Sequence, residues 1–278
     1  MHMEKSFLKW VGSKNRLLSQ LRPHLPDGKR FIEPFVGAGN VFINTNYDSY
    51  VLCDKNNDLI NVYQWLRDDL VSLLNETKSL FDGEPDFYDV RARFNNFTPL
   101  LSAQRAAEFI YLNRHCFNGV CRYNSKGEFN VPLGKHKSIY FPKNEMISFS
   151  NKLISVPVEL VRADFYAVIE RAGIGDVIYC DPPYISGTKN DIFTGYVPGK
   201  FDFTTTNLLH DLLVLAVERG ASAIISNSNN LLVRDIFNDF EIYEVSGDRS
   251  VAANGNRKSA KEIIGVLTPN MIKIRKRC

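Results

Sequence analysis

The sequence predicts an α/β fold, with a mixed, mainly parallel sheet and helices on both of its faces. Short apolar runs rich in β-branched and aromatic residues, such as 177–180 and 221–226, alternate with amphipathic stretches such as 207–219. This alternation is typical of parallel strands joined by crossover helices. The last two runs, 241–245 and 262–267, have no amphipathic stretch between them. We expect them to close the sheet as an antiparallel hairpin.

Size and composition agree with one large α/β domain that carries an insertion. The chain has 278 residues, and its 44% of hydrophobic residues are ample for a core. No apolar stretch reaches the roughly eighteen residues of a membrane-spanning helix. The first residues lack the apolar region of a signal peptide. We therefore expect a soluble, cytoplasmic protein with no membrane partner.

Cysteine, histidine and charge exclude some classes of protein. The five cysteines and five histidines show no metal-binding spacing, so we expect no metal. Cys53 and Cys180 end apolar runs, which predicts buried free thiols in a reducing compartment. The net charge of +3 is uninformative, but basic residues cluster at 114–137, 249–261 and 273–277. We interpret the last cluster as a solvated chain end.

The first part of the chain predicts a helix, a strand, a glycine loop and a second strand. Leucines at helical spacing predict a helix over 15–25, and an apolar run predicts a strand over 30–33. Gly37 and Gly39 precede a further predicted helix, a layout that presents backbone N–H groups to a ligand. The second strand ends at Asp54, close to the roughly twenty-residue distance at which a carboxylate reaches a ribose in nucleotide-binding units. The third glycine of the dehydrogenase fingerprint is missing, which disfavours a nicotinamide enzyme.

A helical block then interrupts the sheet. The predicted helices span residues 58–80, 86–97 and 103–111. Ser102 is a candidate cap for the last of them. No strand is predicted before about residue 158. We therefore divide the chain into a sheet domain, residues 1–56 and 146–278, and an inserted helical domain, residues 57–145.

Strands and helices alternate again after the block. In order, the pattern predicts strand 158–161, helix 166–172, strand 177–180, helix 207–219, strand 221–226 and helix 231–237. Glycines and prolines punctuate residues 185–203, which predicts a polar loop. A basic loop, 248–261, joins the strands of the closing hairpin.

The strand at 177–180 ends in Asp181-Pro182-Pro183-Tyr184. Two prolines prevent both strand pairing and immediate helix entry, so the backbone has to turn. An acid at the carboxyl end of such a strand lies where open α/β sheets build their sites. On its own, the segment is equally typical of a strand that ends in a proline turn with a capping aspartate.

Further motifs accompany this segment along the chain. They are residues 9–14 (KWVGSK), 33–39 (EPFVGAG), Asp54, 111–124, 127–132 (GEFNVP) and 181–184 (DPPY). Together, over nearly the full length, they resemble the Dam-type DNA adenine methyltransferases, which are class I S-adenosylmethionine-dependent enzymes. The resemblance implies a seven-stranded Rossmann-like methyltransferase sheet with an inserted target-recognition domain. It also implies methyl transfer to the N6 amine of a flipped adenine in duplex DNA, within GATC.

The resemblance implies roles at the cofactor and the reacting atoms. The expected contacts to S-adenosylmethionine, whose product is S-adenosylhomocysteine, are Trp10, Lys14, Glu33, Phe35, Gly37, Gly39, Asp54, Asp164, Phe165 and Asp181. Asp164 would hydrogen-bond the cofactor adenine, with Phe165 against its ring. The expected catalytic residues are Asp181, Pro182, Pro183 and Tyr184.

The implied catalytic roles have a physical reason. The exocyclic amine of adenine is a poor nucleophile because its lone pair is delocalised into the ring. Two acceptors, the Asp181 carboxylate and the Pro182 carbonyl, would orient the amine and stabilise the positive charge that develops on nitrogen. Tyr184 would stack on the adenine once it leaves the duplex.

The resemblance also implies the residues that contact DNA. They are Lys9, Arg114, Phe117, Asn118, Val120, Arg122, Asn124, Asn130, Pro132 and Lys135. Lys9 would reach the first base pair, and Arg122 is the best candidate for base readout. Lys135 stands where the family has Arg, and Lys lacks the bidentate fork that binds a guanine edge. Its contact would therefore be weaker or aimed differently.

Two alternatives stay open. The enzyme could methylate another planar amine, such as cytosine N4, RNA adenine or a protein glutamine, although Asp181 favours adenine and the long insertion favours duplex DNA. It could also be a non-catalytic DNA-binding relative, against which the intact Lys14, Asp54 and Asp181 argue. We expect double-stranded DNA as the partner and a monomer in solution. The expected location is the bacterial cytosol or a phage-infected host.

Overall fold

The computed structural model describes residues 3–136, 138–185, 201–248 and 259–275. The predicted loop at 185–203, the basic loop at 248–261 and the basic chain end lie largely outside these ranges. The chain packs as two compact units. The first unit comprises Met1–Asn15, Gly37–Thr45 and Asn56–Arg162, and the second Arg16–Val36, Asn46–Lys55 and Ala163–Cys278. The division into functional domains at residues 57 and 145 stays a prediction.

The strands form one mixed sheet. They are β1 (Arg30–Glu33), β2 (Ser49–Asp54), β3 (Val158–Arg162), β4 (Asp176–Cys180), β5 (Ser222–Ser228), β6 (Glu241–Asp248) and β7 (Ser259–Leu267). The sheet is seven-stranded, in the order β3-β2-β1-β4-β5-β7-β6. The pairs β1–β2, β1–β4 and β4–β5 are parallel, and β7 runs antiparallel to β5 and β6. This confirms the mixed, mainly parallel, seven-stranded Rossmann-like sheet and its closing hairpin.

The centre of the sheet is buried, as its continuous apolar runs predict. Every residue of β4 is buried. The ring of Phe31 on β1 stacks on Tyr47 at 4.7 Å between centroids and on Tyr179 at 6.4 Å. Cys53 and Cys180 are buried free thiols, as predicted. Burial raises the pKa of Cys53 to about 12, so the thiol stays protonated.

Helices flank these strands. Among the described residues the α-helices are α1 (Leu18–Leu21), α2 (Asn57–Asp68), α3 (Leu70–Gly83), α4 (Phe87–Asn96), α5 (Ala103–His115), α6 (Lys143–Ser155), α7 (Tyr166–Ile169), α8 (Phe203–Glu218), α9 (Leu231–Ile236) and α10 (Pro269–Arg275). Ser102 caps α5 as predicted, because its hydroxyl accepts from the Arg105 amide at 3.1 Å. Helix α8 begins earlier than predicted because Asp202 caps it through the Thr205 amide at 2.8 Å.

The prediction of one helix over 58–80 is wrong. The chain turns at Asp69, whose φ of −153° and ψ of 75° are not helical, and α2 and α3 lie on either side. The Asp69 carboxylate accepts from the Ser72 amide at 3.0 Å and so caps α3. The leucine pattern continues through the turn, which is why periodicity alone could not locate it.

The helix predicted over 15–25 is also interrupted. It consists of a 3₁₀ turn at Lys14–Arg16, the short α1 and a second 3₁₀ turn at Arg22–His24. Pro23 has no N–H group for the helical hydrogen-bond ladder, so α1 stops before it. Leu18 and Leu21 of α1 are nevertheless buried, as their spacing predicts.

The helix predicted after the glycine loop is a single 3₁₀ turn, Phe42–Asn44. The Asn44 side chain donates to the Asn40 carbonyl at 2.9 Å, and the Thr45 hydroxyl donates to the Val41 carbonyl at 3.0 Å. These side chains occupy carbonyls that a longer helix would use, and Thr45 is extended. The predicted helix after the glycine loop is therefore wrong. Binding of a ligand by the loop itself stays a prediction.

Candidate functional site

Acidic residues of the second unit lie at the carboxyl ends of three adjacent strands. Glu33 is the last residue of β1, Asp54 is the last of β2, and Asp181 directly follows β4. Because β2, β1 and β4 are parallel neighbours, their carboxyl ends share one edge of the sheet. Ligands bind at this edge in open α/β sheets. For the role proposed below, we call the segment Asp181–Ile185, with the strand ends beside it, the catalytic edge.

Asp181 is held by a side chain of the neighbouring strand. The Ser226 hydroxyl on β5 donates to Asp181 Oδ1 at 2.9 Å. Ser226 Oγ also lies 2.9 Å from the hydroxyl of Tyr179 on β4. Both residues are only 2% exposed. The Asp181 carboxylate is therefore hydrogen-bonded to Ser226, which is itself hydrogen-bonded to Tyr179 in the buried interior of the sheet.

Tyr184 is held by a third strand. Its hydroxyl donates to Glu262 Oε2 on β7 at 2.7 Å. Burial and the neighbouring Asp181 and Glu262 raise the pKa of Tyr184 well above its usual value, so the phenol stays protonated. The next carbonyl, that of Ile185, accepts from Ser228 Oγ and Asn230 Nδ2, each at 3.2 Å.

Phe35 and Phe165 form an aromatic pair in the second unit. Their rings stack with centroids 5.4 Å apart and planes 27° apart. Phe201 packs against both, at 5.8 Å and 6.1 Å. Asp164, which precedes Phe165, forms an ion pair with the exposed Lys55 at 2.9 Å. The expected cofactor residues Phe35, Asp164 and Phe165 are thus grouped in one unit.

Trp10 and the two glycines of the loop are grouped in the first unit. Gly37 has φ of +47°, and a Cβ there would lie 2.7 Å from Trp10 Nε1. Gly39 has φ of +67°, and a Cβ there would lie 2.7 Å from the ring of Phe149. Both positions therefore require glycine. Lys14, also in this unit, is buried, and its ammonium donates to the Gly12 carbonyl at 3.1 Å.

Most of the expected DNA contacts lie on one short hairpin, residues 116–133, which we call the recognition hairpin. Its two arms meet at isolated bridges, Cys116 with Leu133 and Tyr123 with Phe129. At the tip, Asn124 Oδ1 accepts from the amides of Lys126 and Glu128 at 2.9 Å and 3.0 Å. Asn124 therefore shapes the turn itself.

The recognition hairpin exposes several of the predicted DNA contacts. Phe117, Asn118, Arg122 and Pro132 are exposed, as is Lys135 just beyond it, whereas Val120, Asn124 and Asn130 are half-buried. Arg122 Nε donates to Asn130 Oδ1 at 2.8 Å, so these two predicted residues form one polar group. Asn118, with φ of 54°, makes the tight turn that presents Phe117, 51% of which is exposed.

Lys9 and Arg114 are placed differently from the other predicted DNA contacts. Arg114 is buried, and its guanidinium lies 4.6 Å from the centroid of the Tyr140 ring. The Lys9 ammonium donates to the Arg114 carbonyl at 2.9 Å, and the Lys9 backbone is bonded to the Asn113 side chain. Burial and the Arg114 charge lower the pKa of Lys9. A DNA contact by Arg114 stays a prediction, to which its burial lends no support.

The family is shown by comparison with known proteins. Residues 10–251 match the model of the D12 class N6 adenine-specific DNA methyltransferases. The chain belongs to this family.

Its relatives are bacterial and phage enzymes. DNA adenine methylase of Serratia marcescens is 41% identical over 261 residues, which cover 91% of this chain and 94% of that protein. DNA adenine methylase of Escherichia coli K12 is 36% identical over 280 residues, or 98% of each chain. DNA N-6-adenine-methyltransferase of Escherichia phage P1 is 42% identical over 270 residues, which cover 95% of this chain but 35% of that protein. The chain is thus an adenine-specific DNA methyltransferase of bacterial or phage type.

Within the ranges given above, no three or more His, Cys, Asp or Glu side chains are grouped to hold a metal ion. No helix in those ranges is long and apolar enough to cross a membrane.

Sequence reasoning missed the residues that support the site. Ser226 and Glu262 contact the D-P-P-Y segment, although they lie 45 and 78 residues from their partners along the chain. Asp58 was predicted only as the start of a helix, yet it accepts from Tyr123 of the recognition hairpin at 2.6 Å and pairs with Arg105 at 2.6 Å. One feature of the sequence could have indicated such a supporting residue, namely a polar side chain in an otherwise apolar strand, such as Ser226.

Proposed function

We propose that this methyltransferase transfers the methyl group of S-adenosylmethionine to N6 of an adenine within GATC sites of duplex DNA. The observation that carries the proposal is the position of Asp181. It follows a buried parallel strand, is oriented by a hydrogen bond, and precedes two prolines and a tyrosine. Orientation of this kind is what a weakly nucleophilic planar amine requires.

The residues at the catalytic edge suit an adenosine-containing methyl donor. Glu33 and Asp54 end neighbouring parallel strands, a position from which carboxylates bind ribose hydroxyls. Asp164 and the aromatic pair of Phe35 and Phe165 suit an adenine. S-adenosylmethionine would supply a methyl group on a positively charged sulfur, which nearby carboxylates favour. Trp10, Lys14, Gly37 and Gly39 of the first unit stay proposed cofactor contacts, on the strength of the resemblance.

The catalytic groups would act by orientation and charge. The Asp181 carboxylate and the Pro182 carbonyl would accept the two hydrogens of the adenine amine and aim its lone pair at the methyl group. The same carboxylate would stabilise the positive charge that develops on the nitrogen. No strong base is needed before transfer, because the methylated nitrogen is acidic enough to lose its proton afterwards.

Tyr184 would receive the adenine after it leaves the duplex. Flipping a base costs a few kcal/mol, and stacking on an aromatic ring returns about 1–3 kcal/mol. The Tyr184 hydroxyl is bonded to Glu262, so stacking would use the ring and leave this hydrogen bond in place. Pro182 and Pro183 stiffen the segment that carries it.

The recognition hairpin would read the sequence. Arg122, joined to Asn130, presents a planar donor group at an exposed position, and such a group suits the acceptors of a guanine edge. Phe117 and Asn118 would contact or separate neighbouring bases. Val120, Asn124, Pro132 and Lys135 stay proposed contacts along the same surface, as does Lys9 at the first base pair.

Methyl transfer from tritiated S-adenosylmethionine into matched duplexes tests the proposal. One duplex contains GATC, the second GTAC in the same flanking sequence, and the third GATC already methylated on both adenines. We expect incorporation only in the first. Equal incorporation in the first two would contradict GATC specificity, and none in any duplex would contradict methyl transfer itself.

The remaining expectations concern the state of the enzyme. We propose that it is a monomer in solution and that its partner is double-stranded DNA. Its bacterial and phage relatives support a bacterial cell or a phage-infected host as its location. Sedimentation of the protein alone and with a single-site duplex measures the first point. A dimer of the protein alone would contradict it.

A further inference from the structure

We propose that Ser226 on β5 and Glu262 on β7 are positioning residues for methyl transfer, which hold the first and last residues of the D-P-P-Y segment. Ser226 binds Asp181, the proposed acceptor of the adenine amine, and Glu262 binds Tyr184, the proposed stacking ring. The inference rests on the roles proposed above for Asp181 and Tyr184. Neither supporting residue belongs to the segment itself.

The Ser226 hydroxyl can bind Asp181 in only one way. An ionised carboxylate only accepts hydrogen bonds, so the single hydroxyl hydrogen of Ser226 points at Asp181 Oδ1. The Tyr179 hydroxyl must then donate to Ser226 Oγ. The chain therefore runs from Tyr179 through Ser226 to Asp181, and each donor is aimed by the one before it. This arrangement limits rotation of the Asp181 carboxylate.

The strand register brings Ser226 to this place. Parallel pairing sets Cys180 of β4 opposite Ile225 of β5, so the next residues along each strand, Asp181 and Ser226, are also side by side. The flanking Ile225 is fully buried, and Ser226 is 2% exposed. Burying a hydroxyl in such a place costs free energy unless it is bonded. The hydrogen bonds with Asp181 and Tyr179 offset this cost.

Glu262 fixes Tyr184 from the far end of the ring. Two prolines restrict the backbone just before Tyr184, and the Tyr184 hydroxyl donates to Glu262 Oε2 at 2.7 Å. The ring is thus held both where it leaves the backbone and at its tip. A bond to a carboxylate is roughly twice as strong as one between neutral groups. Glu262 is held in turn, because β7 pairs there with Ser228 of β5 and Val245 of β6.

Kinetics of Ser226→Ala tests the first half. We expect kcat to fall about tenfold, the effect of losing one hydrogen bond to a charged group, with little change in KM for DNA or in the affinity for S-adenosylhomocysteine. The acid limb of the kcat profile should move to higher pH, because a donor lowers the pKa of the carboxylate that it binds. A role in stability alone would not move that limb.

Other ionisable groups of the described chain lie near Asp181, and they include Glu33, Tyr179, Cys180, Tyr184 and Glu262. The two glutamates are common to wild type and Ser226→Ala, so a shift between the two profiles reports the carboxylate that Ser226 binds. Burial raises the pKa of the thiol and of both phenols well above their usual values, so these three stay neutral. Ser222→Ala, at the opposite end of the same strand, is the matched control and should leave kcat and its pH profile unchanged. An unshifted profile in Ser226→Ala, with kcat close to wild type, would overturn the role of Ser226.

A double-mutant cycle tests the second half. Tyr184→Phe and Glu262→Leu break the same hydrogen bond from its two sides, so each should lower kcat about tenfold and the double variant no further. Glu262→Gln keeps an acceptor oxygen and should recover most of the loss. Glu241→Gln, at a glutamate bonded to Tyr243 elsewhere in the sheet, is the matched control and should leave kcat unchanged. Additive losses in the cycle would overturn the role of Glu262.

The state of the target base separates this inference from the proposed function. In duplexes with 2-aminopurine at the target position, the fluorescence rise on binding reports the base outside the stack. We expect Glu262→Leu to change the fluorescence of the bound state, while Ser226→Ala leaves it as in wild type. If Tyr184→Ala and Asp181→Ala both keep full activity, the proposed function fails. If they lose it while the Ser226 and Glu262 variants do not, only the present inference fails.

Discussion

Asp181 and Arg122 carry the two most specific roles proposed for this methyltransferase, and the structure supports them by different means. Asp181 follows a strand whose residues are all buried, and its carboxylate is bonded to the next strand of the sheet. Arg122 is exposed on a hairpin whose arms meet at two isolated bridges. The proposed reacting group is thus placed by the sheet itself, whereas the proposed reading group depends on the contacts that anchor its hairpin.

The anchor of the recognition hairpin is a buried polar cluster. Tyr123, next to Arg122, donates to Asp58 of α2 at 2.6 Å. Asp58 also forms an ion pair with Arg105 of α5 at 2.6 Å, and both partners are almost entirely buried. The Arg105 guanidinium lies 4.0 Å from the centroid of the Phe94 ring. The hairpin that carries the proposed readout is therefore tied to two helices through a single carboxylate.

The largest expected effect is at the catalytic edge. Asp181→Ala should reduce kcat by at least about 10³-fold, because it removes an oriented acceptor from the transition state. Its melting temperature and its affinity for GATC duplexes should stay near those of wild type. Asp181→Asn, which preserves shape but not charge, should be almost as inactive. Methyl transfer by Asp181→Ala at the wild-type rate would contradict the proposed catalytic role of Asp181. The contrast between this edge and the recognition hairpin would then fail.

The next effect is on the anchor of the hairpin. Asp58→Ala should lower the free energy of unfolding by about 3–5 kcal/mol, because it leaves the buried Arg105 charge without its carboxylate. Asp82→Ala breaks the exposed pair with Lys78 and should cost about 0–1 kcal/mol. Urea denaturation measures both. Equal losses in the two variants would show that the anchor is no stronger than a surface pair.

Loss of the proposed reading group should be smaller and confined to one position. Arg122→Ala should reduce discrimination at one base pair of GATC by about 1–3 kcal/mol. Relative kcat/KM on duplexes with single substitutions measures this. Lys126→Ala, at the tip of the same hairpin, is the matched control for loss of charge. A uniform loss over all duplexes with Arg122→Ala would instead identify a phosphate contact.

The smallest effect concerns pH at the base of the hairpin. Burial lowers the pKa of His115 to about 4, while its Nδ1 is bonded to the Tyr111 carbonyl at 2.7 Å. The folded state therefore disfavours the charged imidazole, and the stability that this residue contributes is complete above about pH 6.5 and is lost as pH falls towards 4. Between pH 7 and pH 5, urea denaturation should show less loss of stability for His115→Asn than for wild type. An identical loss of stability in both proteins would show that the lowered pKa of His115 does not contribute to the pH dependence.

Local patterns determined much of this protein in advance. The apolar runs predicted the adjacent strands β2, β1, β4 and β5. The absence of a helix between β6 and β7 predicted their antiparallel pairing. Ser102 capped its helix as its type and position predict. These features depend on a few neighbouring residues, so the chain records them directly. The D-P-P-Y segment likewise predicted the end of a strand, and β4 ends at Cys180.

The tertiary structure alone decided where chains of polar contacts run. The interrupted helices are a separate case, because Pro23, the Asp69 cap and the Asn44 and Thr45 side chains act within four residues and are local signals that apolar spacing concealed. Arg114, predicted to contact DNA, is buried. Ser226, Glu262 and Asp58 support the proposed site through partners 45 to 78 residues away. Burial and hydrogen bonding over such separations depend on how strands and helices pack, and no local pattern carries that information.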